Sequence, residues 1–177
     1  VMGKHNTMNA LAVAATSWVM GIPGECVTRG IQAFHGAGRR MEYKGDYRGA
    51  KVYDDYAHHP DELRATLEAI RGMGDNRLVL AFQPHTYTRT KLLMDDFVRE
   101  LKKADVVILA EIYAARESNT IGISSADLAA QIPGAIFCET LQDVTACLRE
   151  IVRDGDIVVT MGAGDIFRAG EALLAEK

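Results

Sequence analysis

The sequence predicts an α/β protein: an open, doubly wound, mostly parallel sheet preceded by two helices left from an upstream domain. The apolar runs Leu78 to Phe82, Val106 to Ala110 and Ile157 to Met161 do not alternate with polar residues, as expected of strands covered on both faces. Between them lie stretches with apolar residues at helical spacing, so strands and helices take turns along the chain. Two polar runs, DDYAHHP at Asp54 to Pro60 and FQPHTYTRT at Phe82 to Thr90, stand where a strand hands over to a helix. An open α/β sheet gathers its binding loops in one crevice at such places.

Taken in order, residues 5–19 read as an Ala-rich helix stopped by Gly21 and Pro23, and 24–34 as a second helix. Gly36, Gly38 and Gly45 then break the pattern, and the signals change from helix alone to strand and helix in alternation. That places a domain boundary near 36–40, with 1–35 as one fragment and 36–177 as the α/β domain. Two helices cannot bury a core alone, so the first segment is expected to be the tail of a larger domain, and the start at Val1 suits a C-terminal piece. Beyond it, strands are expected at 41–47, 50–55, 77–82, 105–111, 135–138 and 156–161. Helices are expected at 60–71, 89–103, 125–131, 141–153 and 165–175. Right-handed crossovers would bring the loops 54–60, 83–90, 111–122 and 162–165 to one sheet edge.

Composition narrows the function classes. Among 177 residues, 20 Lys and Arg against 24 Asp and Glu leave a net charge of −4, and neither sign forms a block. A general nucleic-acid or anionic-membrane surface is therefore not expected, although local anion sites remain open. No apolar stretch approaches the roughly 18–20 residues that span a bilayer, and no secretory signal is visible, so the chain reads as cytoplasmic. Cys26, Cys138 and Cys147 are odd in number and lack CxxC spacing, which predicts buried free thiols without a disulfide framework or thiolate metal site.

In DDYAHHP, Asp54 and Asp55 end a strand and Pro60 opens a helix where its missing N–H costs nothing. A carboxylate here can accept from a ribose or hold an ammonium group, and a neutral imidazole of His58 or His59 can orient a substrate. The plainer alternative is that Asp61 or an upstream acid caps the helix and the histidines are solvated. A metal site is the sharper rival, but adjacent histidines diverge on extended backbone and nothing resembles HExxH. In FQPHTYTRT, Pro84 ends the strand and Thr86 and Thr88 can cap the next helix. Arg89 in its first turn opposes the macrodipole, which makes sense if it holds a carboxylate or phosphate; plain solvation is the alternative. MGAGDIF at 161–167 invites a dinucleotide reading, but its third glycine is replaced by Phe167 and it follows the last strand, so a tight turn capped by Asp165 is favoured. Arg39 and Arg40 are either ordinary basic surface or bring a guanidinium to phosphate at a hinge.

The segments HNTMNALA, GAGRRME, DDYAHHPDELRATL, FQPHTYTRTKLL, EIYAARE and TMGAGDI, in this order and spacing, closely resemble the C-terminal part of the Mur ligase family. The likeness covers essentially the whole chain and is to the branch that joins L-alanine to UDP-N-acetylmuramate. A sister ligase that recycles murein tripeptide shares the first polar motif more than the second. The resemblance implies a Rossmann-like C-terminal domain that binds no dinucleotide, working with a UDP-binding domain and a P-loop ATPase domain. In the implied reaction ATP, with Mg²⁺, phosphorylates a carboxylate of UDP-N-acetylmuramate and the L-alanine amine attacks the acyl phosphate. Carried onto this sequence, Asn6 and Asn9 match the ATP site, Arg40 the arginine that reaches the ATP phosphates, and Asp55 the acid associated with the ribose. Tyr56, His58, His85 and Arg89 match positions lining the amino-acid pocket. Some members carry a second arginine where this chain has Thr86, which would place more of the carboxylate's binding on Arg89 or Arg116. No GTxGK-type loop and no upstream Mg²⁺ ligands occur in these residues, so no catalytic residue and no metal ligand is assigned here, and the chain alone is expected to be inactive. Two other readings compete: a stand-alone nucleotide-binding module, and metal-dependent hydrolysis at His58, His59 and His85.

Overall fold

Six strands and eight helices make up the computed structural model, which describes residues 4–34 and 36–175. Helices α1 (Lys4–Val19) and α2 (Gly24–Ala33) come first, followed by a hairpin of β1 (Glu42–Tyr47) and β2 (Ala50–Asp55). Then follow α3 (Pro60–Arg71), β3 (Leu78–Phe82), α4 (Tyr87–Leu92), α5 (Met94–Leu101), β4 (Val106–Ala110), α6 (Ser125–Ala129), β5 (Ile136–Cys138), α7 (Leu141–Ile151), β6 (Ile157–Met161) and α8 (Phe167–Ala175). The sheet order is β1-β2-β6-β3-β4-β5; β1 is antiparallel to β2 and every other pair is parallel. This is the expected doubly wound, Rossmann-like α/β architecture.

Both faces of the sheet are covered, and the non-alternating strands show why they had to be. Leu78, Leu80 and Phe82 of β3 face Leu63, Leu67 and Ile70 of α3 and Phe97 and Leu101 of α5. Val79 and Ala81 face the other way, into a second cluster with Val144 and Leu148 of α7 and Ala169 and Leu173 of α8. A fully buried Leu or Ile contributes about 2 kcal/mol, so α3 and α5 are held mainly by these few side chains. The β1–β2 hairpin turns through Arg48 (φ 49°) and Gly49 (φ 82°), two left-handed residues that match the sheet twist.

Two element boundaries differ from expectation for physical reasons. The single helix expected at 89–103 is bent into α4 and α5 at Leu93, whose φ of −108° and ψ of 23° leave the helical region. The bend lets Phe97 and Leu101 reach the core while Arg89 stays at the sheet edge. The strand expected at 105–111 ends at Ala110, because the Glu111 carboxylate turns back to accept from the N–H groups of Ile112 and Ser125 and from the Ser124 hydroxyl. Of the three cysteines, Cys138 is buried, Cys147 is half-buried and Cys26 is exposed on α2, so burial of all three does not hold.

Helices α1 and α2 pack against each other, and no residue of α2 is buried. Trp18 is 83% exposed and Met8, Leu11, Val13, Val19 and Met20 are exposed beside it, an apolar surface no part of this chain covers among the described residues.

Candidate functional site

Strand β6 lies between β2 and β3, with Met161 in register with both Asp55 and Phe82. The chain leaves β2, crosses over through α3 to β3, and returns to the gap with its last strand. The carboxyl ends of three adjacent strands therefore deliver DDYAHHP, FQPHTYTRT and the glycine turn to one switch point. The loop after β4 joins them. Tyr113 donates its N–H to the Pro84 carbonyl (2.9 Å), and the Tyr113 carbonyl accepts from the Thr86 N–H (2.9 Å).

Four rings line up across this edge. Tyr56 and His58 stand 5.5 Å apart, His58 and His85 5.6 Å, and His85 and Tyr113 5.7 Å, the last pair stacked with an interplanar angle of 20°. His58 is fixed by its own loop: Nδ1 lies 3.0 Å from the Tyr56 carbonyl and 3.3 Å from Glu62 Oε2. Its backbone N–H also donates to Glu62 (2.9 Å). His59 takes the other expected task, with Nδ1 accepting from the Asp61 N–H (3.3 Å) at the start of α3. The cap is thus an imidazole and not Asp61.

Two buried polar atoms in this cluster have no hydrogen-bond partner among the described residues: His85 Nδ1 and Arg89 Nη1. A buried unpaired donor or acceptor costs about 1–3 kcal/mol, and such a cost is tolerated where a ligand completes the site. Burial, then the nearby His58 and Arg89, push the His85 imidazole below its ordinary value, against the pull of Glu117. Glu117 itself is held ionised, its pKa lowered by bonds from the Thr88 hydroxyl and N–H. Thr88 serves this bridge and neither it nor Thr86 caps α4 through its side chain. Arg116 is exposed on the loop after β4, and Arg89 is the guanidinium that acts on His85.

The residues expected at a nucleotide separate. Asn6 and Arg40 line one cavity of about 420 Å³, with Gly36 to Gly38, Met41 and Tyr53. Arg40 is exposed and its guanidinium lies over the Tyr56 ring at 5.7 Å. Asn9 sits outside the lining and donates to Asn6 Oδ1 (3.5 Å). Asp55 is 3% exposed, and its two oxygens accept from the N–H groups of Met41 and Ala57, each at 2.8 Å. Burial pushes its carboxyl above the ordinary value, while those bonds and Arg40 act the other way. Asp55 thus anchors the turn that carries Arg40 through one N–H on each oxygen.

Arg39 was given no site of its own in the sequence, where Arg40 was preferred, yet it organises the switch point. Its Nε meets Asp54 Oδ2 (2.7 Å), and Nη2 and Nη1 donate to the carbonyls of Gly162 (2.7 Å) and Gly164 (3.2 Å). The guanidinium lies over the rings of Phe167 (4.7 Å) and Tyr56 (5.0 Å), and the Arg39 carbonyl accepts from the Tyr56 N–H (2.7 Å). The glycine turn is closed from the other side by Gln83, whose Nε2 donates to Asp165 (3.1 Å) and whose Oε1 accepts from the Ile166 N–H (3.1 Å). The Asp165 carboxylate is therefore held by Gln83, and α8 begins only at Phe167. Gly162 (φ 149°) approaches so closely that a Cβ would lie 2.6 Å from the Gln83 carbonyl oxygen, and a Cβ on Gly164 would lie 2.7 Å from Tyr113 Cγ. This turn is filled by protein. Tyr113 and Glu117 were also missed as individuals; their signal was EIYAARE directly after a buried strand.

Residues 39–164 match the family described as Mur ligase, glutamate ligase domain. The chain belongs to that family. This Mur ligase domain is 46% identical to the UDP-N-acetylmuramate–L-alanine ligase of Lachnospira eligens, over 98% of this chain and 39% of the relative. It is 47% identical to the ligase of the same name from Agathobacter rectalis, over the same shares. The crystal structure of the UDP-N-acetylmuramate-alanine ligase of Thermotoga maritima superposes with a TM-score of 0.83 at 27% identity, covering 99% of this chain and 38% of that one. The Mur ligase domain and its two leading helices thus span about 39% of the length of the curated relatives, and the matched stretch is their C-terminal part.

Proposed function

We propose that this chain is the amino-acid-seating and nucleotide-closing part of an ATP-dependent ligase that joins L-alanine to UDP-N-acetylmuramate through an acyl phosphate. The observation that carries the reading is the pairing of two buried, unpartnered polar atoms, Arg89 Nη1 and His85 Nδ1, at the switch point of a Mur ligase domain. Arg89 offers a forked donor to the amino acid's carboxylate, and the His58 and Tyr56 rings wall the pocket on the side of Arg40. Similarity to the L-alanine ligases of Lachnospira eligens and Agathobacter rectalis supports the choice of amino acid.

The nucleotide takes the cavity of Asn6 and Arg40, where the donor set suits one end of ATP: an amide for a base and one free-facing guanidinium for phosphate. The bound nucleotide supplies the phosphoryl group that activates the carboxylate. No three His, Cys, Asp or Glu side chains converge among the described residues, so a Mg²⁺ ion here would lean on the nucleotide's phosphates and on residues outside this chain. Its ligands and the rest of the phosphate site belong to the remaining length of the relatives. The exposed apolar surface of α1 and α2 supports residues 1–35 as the tail of the adjoining ATPase domain, and the family match beginning at residue 39 supports the boundary. No helix among the described residues is long and apolar enough to cross a membrane.

The test is phosphate release by the full-length protein with ATP, Mg²⁺, UDP-N-acetylmuramate and a panel of amino acids that includes the murein tripeptide. Release that depends on L-alanine is expected. Release with the tripeptide but not with L-alanine would move the protein to the recycling branch, and no acceptor-dependent release would sink the ligase reading.

A further inference from the structure

We propose that His85 is the group that takes the proton from the amino group of the incoming amino acid, through Nδ1. The inference rests on the reading above, in which Arg89 holds that amino acid's carboxylate. An α-amino acid arrives as an ammonium, and an ammonium nitrogen has no lone pair with which to attack. In the step proposed, an ammonium N–H bond breaks and its electron pair stays on nitrogen, while the proton passes to Nδ1. The nitrogen pair then forms the C–N bond to the acyl phosphate. The C–O bond to phosphate breaks with its pair on the departing phosphate, and the second amine proton leaves with that phosphate.

Several basic atoms at this edge already hold partners. His58 Nδ1 is engaged by the Tyr56 carbonyl and Glu62, and His59 Nδ1 accepts from the Asp61 N–H. Asp55 holds two backbone N–H groups, and Glu117 holds the Thr88 hydroxyl and N–H. Among the described residues His85 Nδ1 is the buried imidazole nitrogen left with no partner, and Arg89 Nη1, a guanidinium nitrogen of the same loop, is in the same condition. The ring cannot swing freely, being stacked on Tyr113 and met edge-on by His58, and its backbone is bridged to Tyr113. Gly164 closes the far side of Tyr113, where a side chain would collide with the ring. The groups facing the imidazole are His58 from the loop after β2, Arg89 from α4, and Glu117 and Tyr113 from the loop after β4; burial with His58 and Arg89 outweighs Glu117 and keeps it neutral. A neutral, oriented imidazole at working pH is the form a proton acceptor needs.

The experiment compares full-length wild type with His85→Gln and His85→Asn, using L-alanine and, separately, hydroxylamine, whose nitrogen is already unprotonated at neutral pH. The expected result is an amide-to-hydroxamate rate ratio lower by about 10²–10⁴-fold in both variants. The variants' L-alanine rate should also climb about tenfold per pH unit above pH 7, as free amine replaces ammonium, while the wild-type rate is flat there. Hydroxamate formation by the same preparations shows that the variants are folded. A variant that keeps the wild-type ratio and profile, with only a raised KM for L-alanine, overturns the proposal. If Arg89→Ala leaves the KM for L-alanine unchanged, the pocket reading itself falls; if it raises that KM and His85→Gln keeps the wild-type profile, only the proton assignment falls.

Discussion

The turn after β6 and the loop after β3 leave neighbouring strands at the same sheet edge, and they are finished in opposite ways. Around Gly162 to Asp165, both arms of the Arg39 guanidinium and both ends of the Gln83 amide are spent on the turn itself. Around His85 to Arg89, an imidazole nitrogen and a guanidinium nitrogen are buried without a hydrogen-bond partner. The glycine turn is thus plugged by side chains, while the adjoining loop keeps two buried polar atoms without a partner. Which loop is full and which is open is the functional information in this edge.

The largest effect should come from removing the plug. Asp54 is buried and faces Arg39 at 2.7 Å, with the Thr160 hydroxyl as its other partner. Arg39→Met strands that carboxylate and frees two carbonyls, and is expected to cost about 3 kcal/mol of stability in chemical denaturation. Arg40→Met, one residue along and exposed, should cost less than about 0.5 kcal/mol and instead raise the KM for ATP in the full-length protein. Equal losses of stability for the two would remove the distinction between a structural and a nucleotide-facing arginine.

The fold was legible because its signals are local. Runs such as Leu78 to Phe82 declare a strand buried on both faces, and the spacing of Leu63, Leu67 and Ile70 declares the helix that covers it. The identity of the site loops was legible for the same reason, since each polar run directly follows such a strand. The task of Arg39 was not, because it answers to Asp54, Gly162 and Gly164, far away in sequence; the resemblance had picked out Arg40 alone. The bend at Leu93 was hidden because the i to i−4 bonds of Leu93 and Phe97 continue across it and no Gly or Pro marks it. The backbone bonds of Asp55 were not legible either, because an acid at a strand end does not show in sequence which N–H groups it will hold.

The open loop is probed next. Arg89→Ala in the full-length protein is expected to raise the KM for L-alanine about 10–100-fold, because a charge-assisted forked contact is lost, while the KM for ATP changes by less than about twofold. Steady-state kinetics with each substrate varied in turn reads both numbers. If the two KM values rise together, Arg89 supports the closed domain arrangement and does not seat the carboxylate.

The smallest effect concerns how the open loop is held. Thr86 has φ 70° and ψ 141°, a conformation that a β-branched residue adopts only under constraint. The constraint is visible in the backbone: the Thr86 N–H donates to the Tyr113 carbonyl, and the Thr86 carbonyl accepts from the N–H and hydroxyl of Thr90. Its own side chain caps nothing. Strain of this kind costs about 1–3 kcal/mol, and glycine at the same place would relieve it while adding about 0.5–1 kcal/mol of unfolded-chain entropy. Thr86→Gly is therefore expected to stabilise the fold by about 1 kcal/mol in denaturant melts. It should also weaken L-alanine binding by a few-fold, because His85 and Arg89 flank the residue being loosened. A destabilised Thr86→Gly would mean that the loop gains more from the threonine's packing than it loses to its backbone. A stabilised variant with weaker binding would show that the open side of this edge stores strain at Thr86.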